Sequence, residues 1–202
     1  PIFEIQGWAA HGLRALADLF DRLGRRDRAD RMRARADLVR RVTLAHFWMD
    51  DRSFFAQALD GEKQRVSALS SNPGHLLYCR MVPSELAQRM AGVLVGDALF
   101  SGWGIRTRAS GQPAYDPISY HNGSVWPHDT LIAASGLAAY GCLDEARTLL
   151  DGLLAAVAQY PEARPPEVFA GYPAEPWGIP VDYIGANRPQ AWASAAMLEI
   201  VR

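Results

Sequence analysis

Apolar residues recur at three- and four-residue steps through most of the chain. Ile5, Trp8, Ala9, Gly12, Leu13, Leu16, Leu19, Phe20 and Leu23 line one face of a helix of about six turns, ended by Gly24. A second stripe, Ala29, Met32, Ala36, Val39 and Val42, predicts a second helix whose other faces are dense in arginine, so that the two form a helical hairpin. After Trp48 the period shortens. Residues 53–59 and 64–70 read as short strands joined through Asp60-Gly61, a turn-forming pair, which makes a small β-hairpin inserted between helices. Ser71-Asn72-Pro73-Gly74 resets the chain before residues 75–81. Leu86, Met90, Val93 and Leu94 then mark a helix over 83–99, with Pro83 suited to its first turn. Two more helices follow over 127–140 and 143–160, separated at Gly141, and Pro189 opens a last one over 190–201. The expectation is a mainly α chain whose residues 1–202 form one domain, with no linker to divide it and no evident internal repeat.

Two stretches fall outside this rhythm and hold most of the candidate chemistry. The first leads into the fifth helix through YDPISYHNGSVWPHD, residues 115–129. Tyr120, His121, Asn122 and Ser124 each donate or accept hydrogen bonds, and Trp126 offers a flat apolar face. Asp129 falls in the first helical turn, where the helix dipole favours a negative charge, and reads equally as a cap or as a ligand contact. The second stretch, 161–188, contains six prolines and no period. Loops of this length in compact domains are functional or disordered, and Phe169, Tyr172, Trp177, Ile179, Val181, Tyr183 and Ile184 are too apolar for solvent, so packing is expected. It carries the carboxylates Glu162, Glu167, Glu175 and Asp182. Trp103, Trp126, Trp177 and Trp192 lie in or beside the two loops. Flat apolar faces among Asp, Asn, His, Tyr and Gln suit sugar rings, which stack through C–H faces and hydrogen-bond at their rims. Carboxylates beside such faces further suggest glycoside hydrolysis.

Composition narrows the field. Hydrophobic residues make up 49% of the chain, enough for a core. With 21 basic and 22 acidic residues the net charge is −1, which argues against a nucleic-acid or membrane-surface partner. The nine arginines between Asp21 and Arg41 are interleaved with aspartates, and Asp27 with Arg31 and Asp37 with Arg41 are spaced for helical ion pairs on a solvated face. Cys79 and Cys142 have no metal-ligand spacing and read as buried free thiols in a reducing compartment, hence a cytoplasmic chain, with a disulfide between them as the other reading. No membrane-span-length apolar run or signal pattern is present. His121, His128 and Asp129 have neither a zinc-protease helix nor a cysteine cluster beside them, no phosphate or dinucleotide glycine loop occurs, and Ser124 lacks a nucleophile elbow. No metal or cofactor is expected. His75 could bind a ligand near the Ser71–Gly74 turn, but a lone histidine is more often a structural hydrogen-bonding residue.

Several long motifs in register resemble one family. GWGIRT (102–107), YDPISYHNGSVWPHD (115–129), PPEVFAGY (165–172) and RPQAWASAA (188–196) look like the C-terminal part of bacterial amylo-α-1,6-glucosidase, or glycogen-debranching-enzyme-related, proteins. FEIQGW (3–8) and ALDGEKQRVSALSSNPGHLL (58–77) resemble the same family in the same order. The resemblance implies a six-hairpin glycosidase, here a partial (α/α)6 toroid of helical hairpins with a small β-hairpin insertion. It implies inverting hydrolysis of α-1,6-glucosidic bonds in an oligosaccharide or α-glucan. Glu167 matches the glutamate of a Leu-Pro-Glu-Leu-Phe-like motif and is thereby the general base. Trp103, Tyr120, His121, Asn122, Trp126, Asp129, Gln190 and Trp192 are the implied substrate-binding residues. The family's general acid, an aspartate in a Trp-Lys-Asp-Ser-like motif, precedes the region matching Glu4, and the chain starts at Pro1; Trp48-Met49-Asp50 is out of family order and does not take the role. The expectation is a C-terminal portion of the catalytic domain, inactive in isolation, whose uncovered helices need a second copy or a separate N-terminal half. The other reading is a carbohydrate-binding or interaction module that keeps the pocket without the acid.

Overall fold

The computed structural model of the chain describes residues 1–200; Val201, the expected end of the last helix, lies outside them. Among the described residues the helices are α1 (Phe3–Arg22), α2 (Arg26–Phe47), α3 (Gly74–Tyr78), α4 (Ser84–Leu94), α5 (Pro127–Ala139), α6 (Leu143–Val157) and α7 (Ala191–Ile200). The spans of α1, α2, α5, α6 and α7 match the predicted ones closely. α3 is a five-residue helix, too short to show a period, and α4 stops at Leu94, before the Val95-Gly96 turn. The expected β-hairpin is present but divided. β1 (Trp48–Met49) pairs antiparallel with β2 (Phe54–Phe55), and β3 (Ala58–Leu59) with β4 (Arg65–Val66). The segment 53–59 splits because its two halves find different partners: the Ala56 N–H donates to the Phe47 carbonyl at 2.9 Å, and that of Gln57 to the Val66 carbonyl at 3.0 Å.

The helices form two layers. α1 contacts α3, α3 contacts α5 and α5 contacts α7, so the odd-numbered helices run as one arc. α2 lies against α1, α6 against α5, and α4 against α6 and β2. Close approach within the arc depends on small residues: a Cβ added at Gly136 of α5 would stand 2.6 Å from the Leu77 Cβ of α3. The core gathers Phe3, Phe47, Phe54, Phe55, Leu76, Leu77, Met90, Leu94 and Leu137, all buried, and burying each such side chain contributes about 1.5–3 kcal/mol.

The outward face of α1 departs from expectation. Its buried positions are Phe3, Gly7, Ala10 and Ala17, whereas Ile5, Leu16, Leu19 and Leu23 of the predicted stripe are exposed. Much of the stripe therefore faces outward, and a small residue makes the close approach instead: a Cβ added at Gly7 would stand 2.9 Å from the Leu76 side chain of α3. The arginine-rich face of α2 is ion-paired, though not everywhere as spaced. Arg31 pairs with Asp27 at 3.2 Å, while Asp37 takes Arg14 of α1 at 3.5 Å rather than Arg41. Cys79 and Cys142 are buried and free. No helix among the described residues is long and apolar enough to cross a membrane.

Single β-bridges knit the two long loops together. Val125 and Phe169 exchange both backbone hydrogen bonds, at 2.9 and 3.0 Å, and further bridges join Arg106 to Val125 and Phe169 to Asp182. Buried Arg106 adds hydrogen bonds to the carbonyls of Asp97, Phe100 and Gly171. The loop after α6 is thus packed in its first part, where Val168 and Phe169 are fully buried. Its second part corrects the expectation of burial: Trp177, Ile179 and Ile184 are exposed, Ile184 to 96%.

Candidate functional site

The first turns of all four arc helices meet at one cleft of about 570 Å³. α1 contributes Glu4, the start of α3 contributes Ser71, Asn72 and His75, α5 contributes Trp126, His128 and Asp129, and α7 contributes Trp192. The partial positive charge of the helix N-termini favours carboxylates there, and Glu4 and Asp129 both line the cleft.

Glu167 stands one side chain removed from it. The Tyr120 hydroxyl donates to Glu167 Oε1 at 2.5 Å and Asn187 Nδ2 to Oε2 at 2.9 Å. The Tyr120 ring lies edge-on to Trp126, with centroids 4.7 Å apart, and Trp126 lines the cleft. Backbone anchoring fixes the position, because Glu167 is two residues from the Phe169–Val125 bridge and its own N–H donates to the Asn187 carbonyl at 2.9 Å. The Tyr120 hydrogen bond, joined by those of Asn187, holds the Glu167 carboxyl below the usual carboxylate range, and that same bond pushes the Tyr120 phenol up to about 12. The site thus presents an ionised, half-buried carboxylate beside an aromatic wall.

Asp129 is not a helix cap. Trp126 occupies the cap position of α5 without a side-chain hydrogen bond, while the Asp129 carboxylate is buried and its Oδ1 lies 2.6 Å from His75 Nε2. Burial alone would raise its pKa, but the hydrogen bond and charge of His75 more than offset that and hold it low. On His75, burial opposes a charge while Asp129 and Glu4 favour one, and the balance lies above the ordinary imidazole value. His128 is pulled down by burial and has a buried Nδ1 with no hydrogen-bond partner among the described residues. Its ring stacks on Trp192 at 3.9 Å.

The sequence-predicted site residues divide. His121, Trp126, Asp129 and Trp192 come together at the cleft; His121 stacks parallel to Trp126 with centroids 5.9 Å apart. Tyr120 serves through Glu167. Three are placed elsewhere. Trp103 is buried in a satellite core with Val125, Ala156 and Phe169, so its apolar area is spent on packing. Gln190 accepts the Ala193 N–H at 2.8 Å and caps α7. Asn122 accepts from Arg108 Nε at 3.2 Å and holds the loop. Sequence reasoning missed Glu4, Asn72, His128 and Asn187. Asn72-Pro73-Gly74 was legible as a turn, but only the fold shows that this turn opens onto the cleft. Among the described residues no cluster of three His, Cys, Asp or Glu side chains is arranged to hold a metal.

Known structures share this arrangement. A GH63 mannosylglycerate hydrolase from Thermus thermophilus, solved in complex with glucose, superposes with a TM-score of 0.78 at 17% identity, over 99% of this chain and 47% of that one. Neutral trehalase Nth1 from Saccharomyces cerevisiae gives 0.74 at 16% identity, over 98% of this chain and 36% of that one. The chain therefore spans less than half the length of these structures, and the likeness identifies its arc of hairpins as part of an (α/α)6 toroid. No curated protein matches the sequence. The motifs and these folds agree on a six-hairpin glycosidase, not on the debranching branch of that class. Residues 4–176 match the model of the mannosylglycerate hydrolase MGH1-like glycoside hydrolase domain, and the chain belongs to that family.

Proposed function

We propose that residues 1–202 form the C-terminal portion of a six-hairpin catalytic domain that hydrolyses an α-glycoside with inversion, and that Glu167 is its general base. The observation that carries this is the Glu167 carboxylate, kept ionised by Tyr120 and Asn187 beside the Trp126–His121 wall of the cleft. A base that activates water must be ionised at the working pH, and inversion needs room for that water between two carboxyl groups about 6.5–9.5 Å apart. The opposing acid comes from the rest of the domain. For the bond cleaved, the motifs of the loops favour an α-1,6-glucosidic branch of a glucan. Relatives in fold, a mannosylglycerate hydrolase and a trehalase, supply the substrates against which that choice is tested.

The test uses the full-length protein with glycogen limit dextrin, mannosylglycerate and trehalose, following product anomers by NMR. The expected result is glucose released from the dextrin as the β-anomer, with Glu167→Gln lowering kcat about 10²–10⁴-fold. Full activity in Glu167→Gln overturns the assignment of the base. Turnover of mannosylglycerate or trehalose alone overturns the linkage. Binding without turnover of any of the three makes the protein a carbohydrate-binding module.

A further inference from the structure

Among the described residues Arg106 is the one buried arginine or lysine, at 3% exposure, and it enters none of the ion pairs there. Burial pulls its pKa below the ordinary arginine value, but a guanidinium stays charged in a protein. A buried cation without a carboxylate is costly, so where its donors go is informative. Nε donates to the Gly171 carbonyl at 2.7 Å, and Nη1 to the carbonyls of Asp97 and Phe100 at 2.9 and 3.1 Å. One rigid, planar group thus spans two segments distant in sequence, the turn after α4 and the loop after α6.

Gly171 is gripped from several sides. Its carbonyl also accepts from the Tyr115 hydroxyl at 3.2 Å, and its N–H donates to the Pro117 carbonyl at 2.8 Å. A Cβ at this position would overlap the Gly123 carbonyl oxygen, so the two backbones touch and only glycine fits. Tyr115, Pro117 and Gly123 bracket Tyr120 in sequence. Gly171 follows Glu167 by four residues, with the Val125–Phe169 bridge between them. The contacts at Gly171 therefore set the spacing between residues 115–125 and residues 167–171, and the Tyr120–Glu167 hydrogen bond at 2.5 Å crosses that same gap. Arg106 itself does not line the cleft.

We infer that Arg106 is a positioning residue for Glu167: by gripping Gly171 it keeps residues 167–171 in register with residues 115–125, so that the Tyr120 hydroxyl meets the Glu167 carboxylate. It acts through the backbone and touches no substrate. Its effect on turnover rests on the reading of Glu167 as the base; its effect on Glu167 does not, and is measured without activity.

The test uses the full-length protein labelled with carbon-13 at the glutamate carboxyls, with Glu167 assigned as the signal missing from Glu167→Gln. Arg106→Lys keeps the charge but replaces the fork by one ammonium, which cannot hold Gly171 and the turn after α4 together. Loosening that hold lengthens the Tyr120 bond, which favours the ionised carboxyl, so the Glu167 titration should shift to higher pH, toward that of Tyr120→Phe. Because the carboxylate itself is displaced, kcat should fall about tenfold with KM little changed. Asn187 and His128 also hold Glu167 low, and Arg106 hydrogen-bonds to neither. In the double variant Arg106→Lys/Tyr120→Phe the titration should therefore move no further than in Tyr120→Phe alone, since both changes act on one bond. Tyr115→Phe removes the other side-chain donor to the Gly171 carbonyl; it should shift the titration the same way by less, and it decides the matter if Arg106→Lys does not fold. A Glu167 titration that stays in place in the folded variant overturns the inference, whatever the loss of stability, because a merely structural arginine predicts that result. So does an additive shift in the double variant. A titration that moves while the acidic limb of kcat/KM does not would uphold the positioning of Glu167 and overturn Glu167 as the base.

Discussion

Glu167 lies on a loop, half-buried, and takes its hydrogen bonds from Tyr120 and Asn187, whereas Asp129 lies in the first turn of α5, buried, with His75 as its hydrogen-bond partner. Both carboxyls are held low, but by different physics. At Glu167 the Tyr120 hydrogen bond comes first, and desolvation opposes it without outweighing it. At Asp129 burial works strongly against the charge and has to be outweighed by a partner on another helix. A carboxylate that must exchange protons with water or substrate is served by the first arrangement, because its environment can change during a reaction. One that must stay charged and fixed is served by the second. The pair teaches that a low pKa does not by itself mark a catalytic group; what surrounds it decides the role.

The largest effect expected from breaking this comparison is at Glu167. Glu167→Gln should lower kcat about 10²–10⁴-fold with little change in stability, since the residue is half-exposed and the amide keeps an oxygen for Tyr120. Steady-state kinetics beside a urea unfolding curve checks both halves. A loss of stability matching the loss of activity would place Glu167 in the scaffold instead.

That contrast also explains what could be read from the sequence. The hairpins were legible because α2, α4 and α6 bury one face and expose the other, which is what a three-to-four step pattern records. α1 misleads for the same reason: its most apolar stripe is exposed and its small residues, Gly7, Ala10 and Ala17, are buried, so hydrophobicity and burial part company wherever a helix must approach another closely. At the site, Trp126 and His121 were found through composition. Trp103 was not separable from them, because a tryptophan bordering a loop looks alike whether it lines a cleft or fills a core. Gln190 and Asn122 were polar for local reasons, a cap and a loop tie. The His75–Asp129 pair, 54 residues apart, left no local signal at all, since only the packing of α3 on α5 brings it together.

The next effect in size is at that pair. His75→Leu leaves the buried Asp129 charge without its main partner, and removal of one member of a buried pair costs about 3–5 kcal/mol. Chemical denaturation should show it as a drop in midpoint near neutral pH. The pH dependence has a definite sign. Asp129 is depressed in the folded state, so its stabilisation is present above the ordinary carboxylate range and is lost as pH falls through the lower folded value. His75 is raised, so the unmodified protein gains stability as His75 takes up its proton, and the deficit of His75→Leu should widen on mild acidification and then shrink as pH falls through the folded Asp129 value. A deficit that stayed constant down through the carboxylate range would mean that the loss came from packing around His75 and not from the charge.

The smallest effect is at Tyr120 and separates the two carboxylates most sharply. Tyr120→Phe removes the hydroxyl that holds Glu167 low while keeping the ring against Trp126, so the aromatic wall is preserved. The fold should be nearly indifferent, with a change of about 1 kcal/mol or less, because the lost hydrogen bond is near solvent. The kinetics should not be. A general base works only when ionised, so the acidic limb of the kcat/KM profile follows the Glu167 pKa, and without the Tyr120 donor that limb moves to higher pH. The plateau near neutral pH should change little, because an unassisted glutamate is still ionised there. Asp129 is out of reach of this change, so its hydrogen bond with His75 and the stability that rests on it should be retained. A limb that stays where it was, with activity falling evenly at every pH, would show that Tyr120 orients the substrate and that Glu167 does not set the acidic limb.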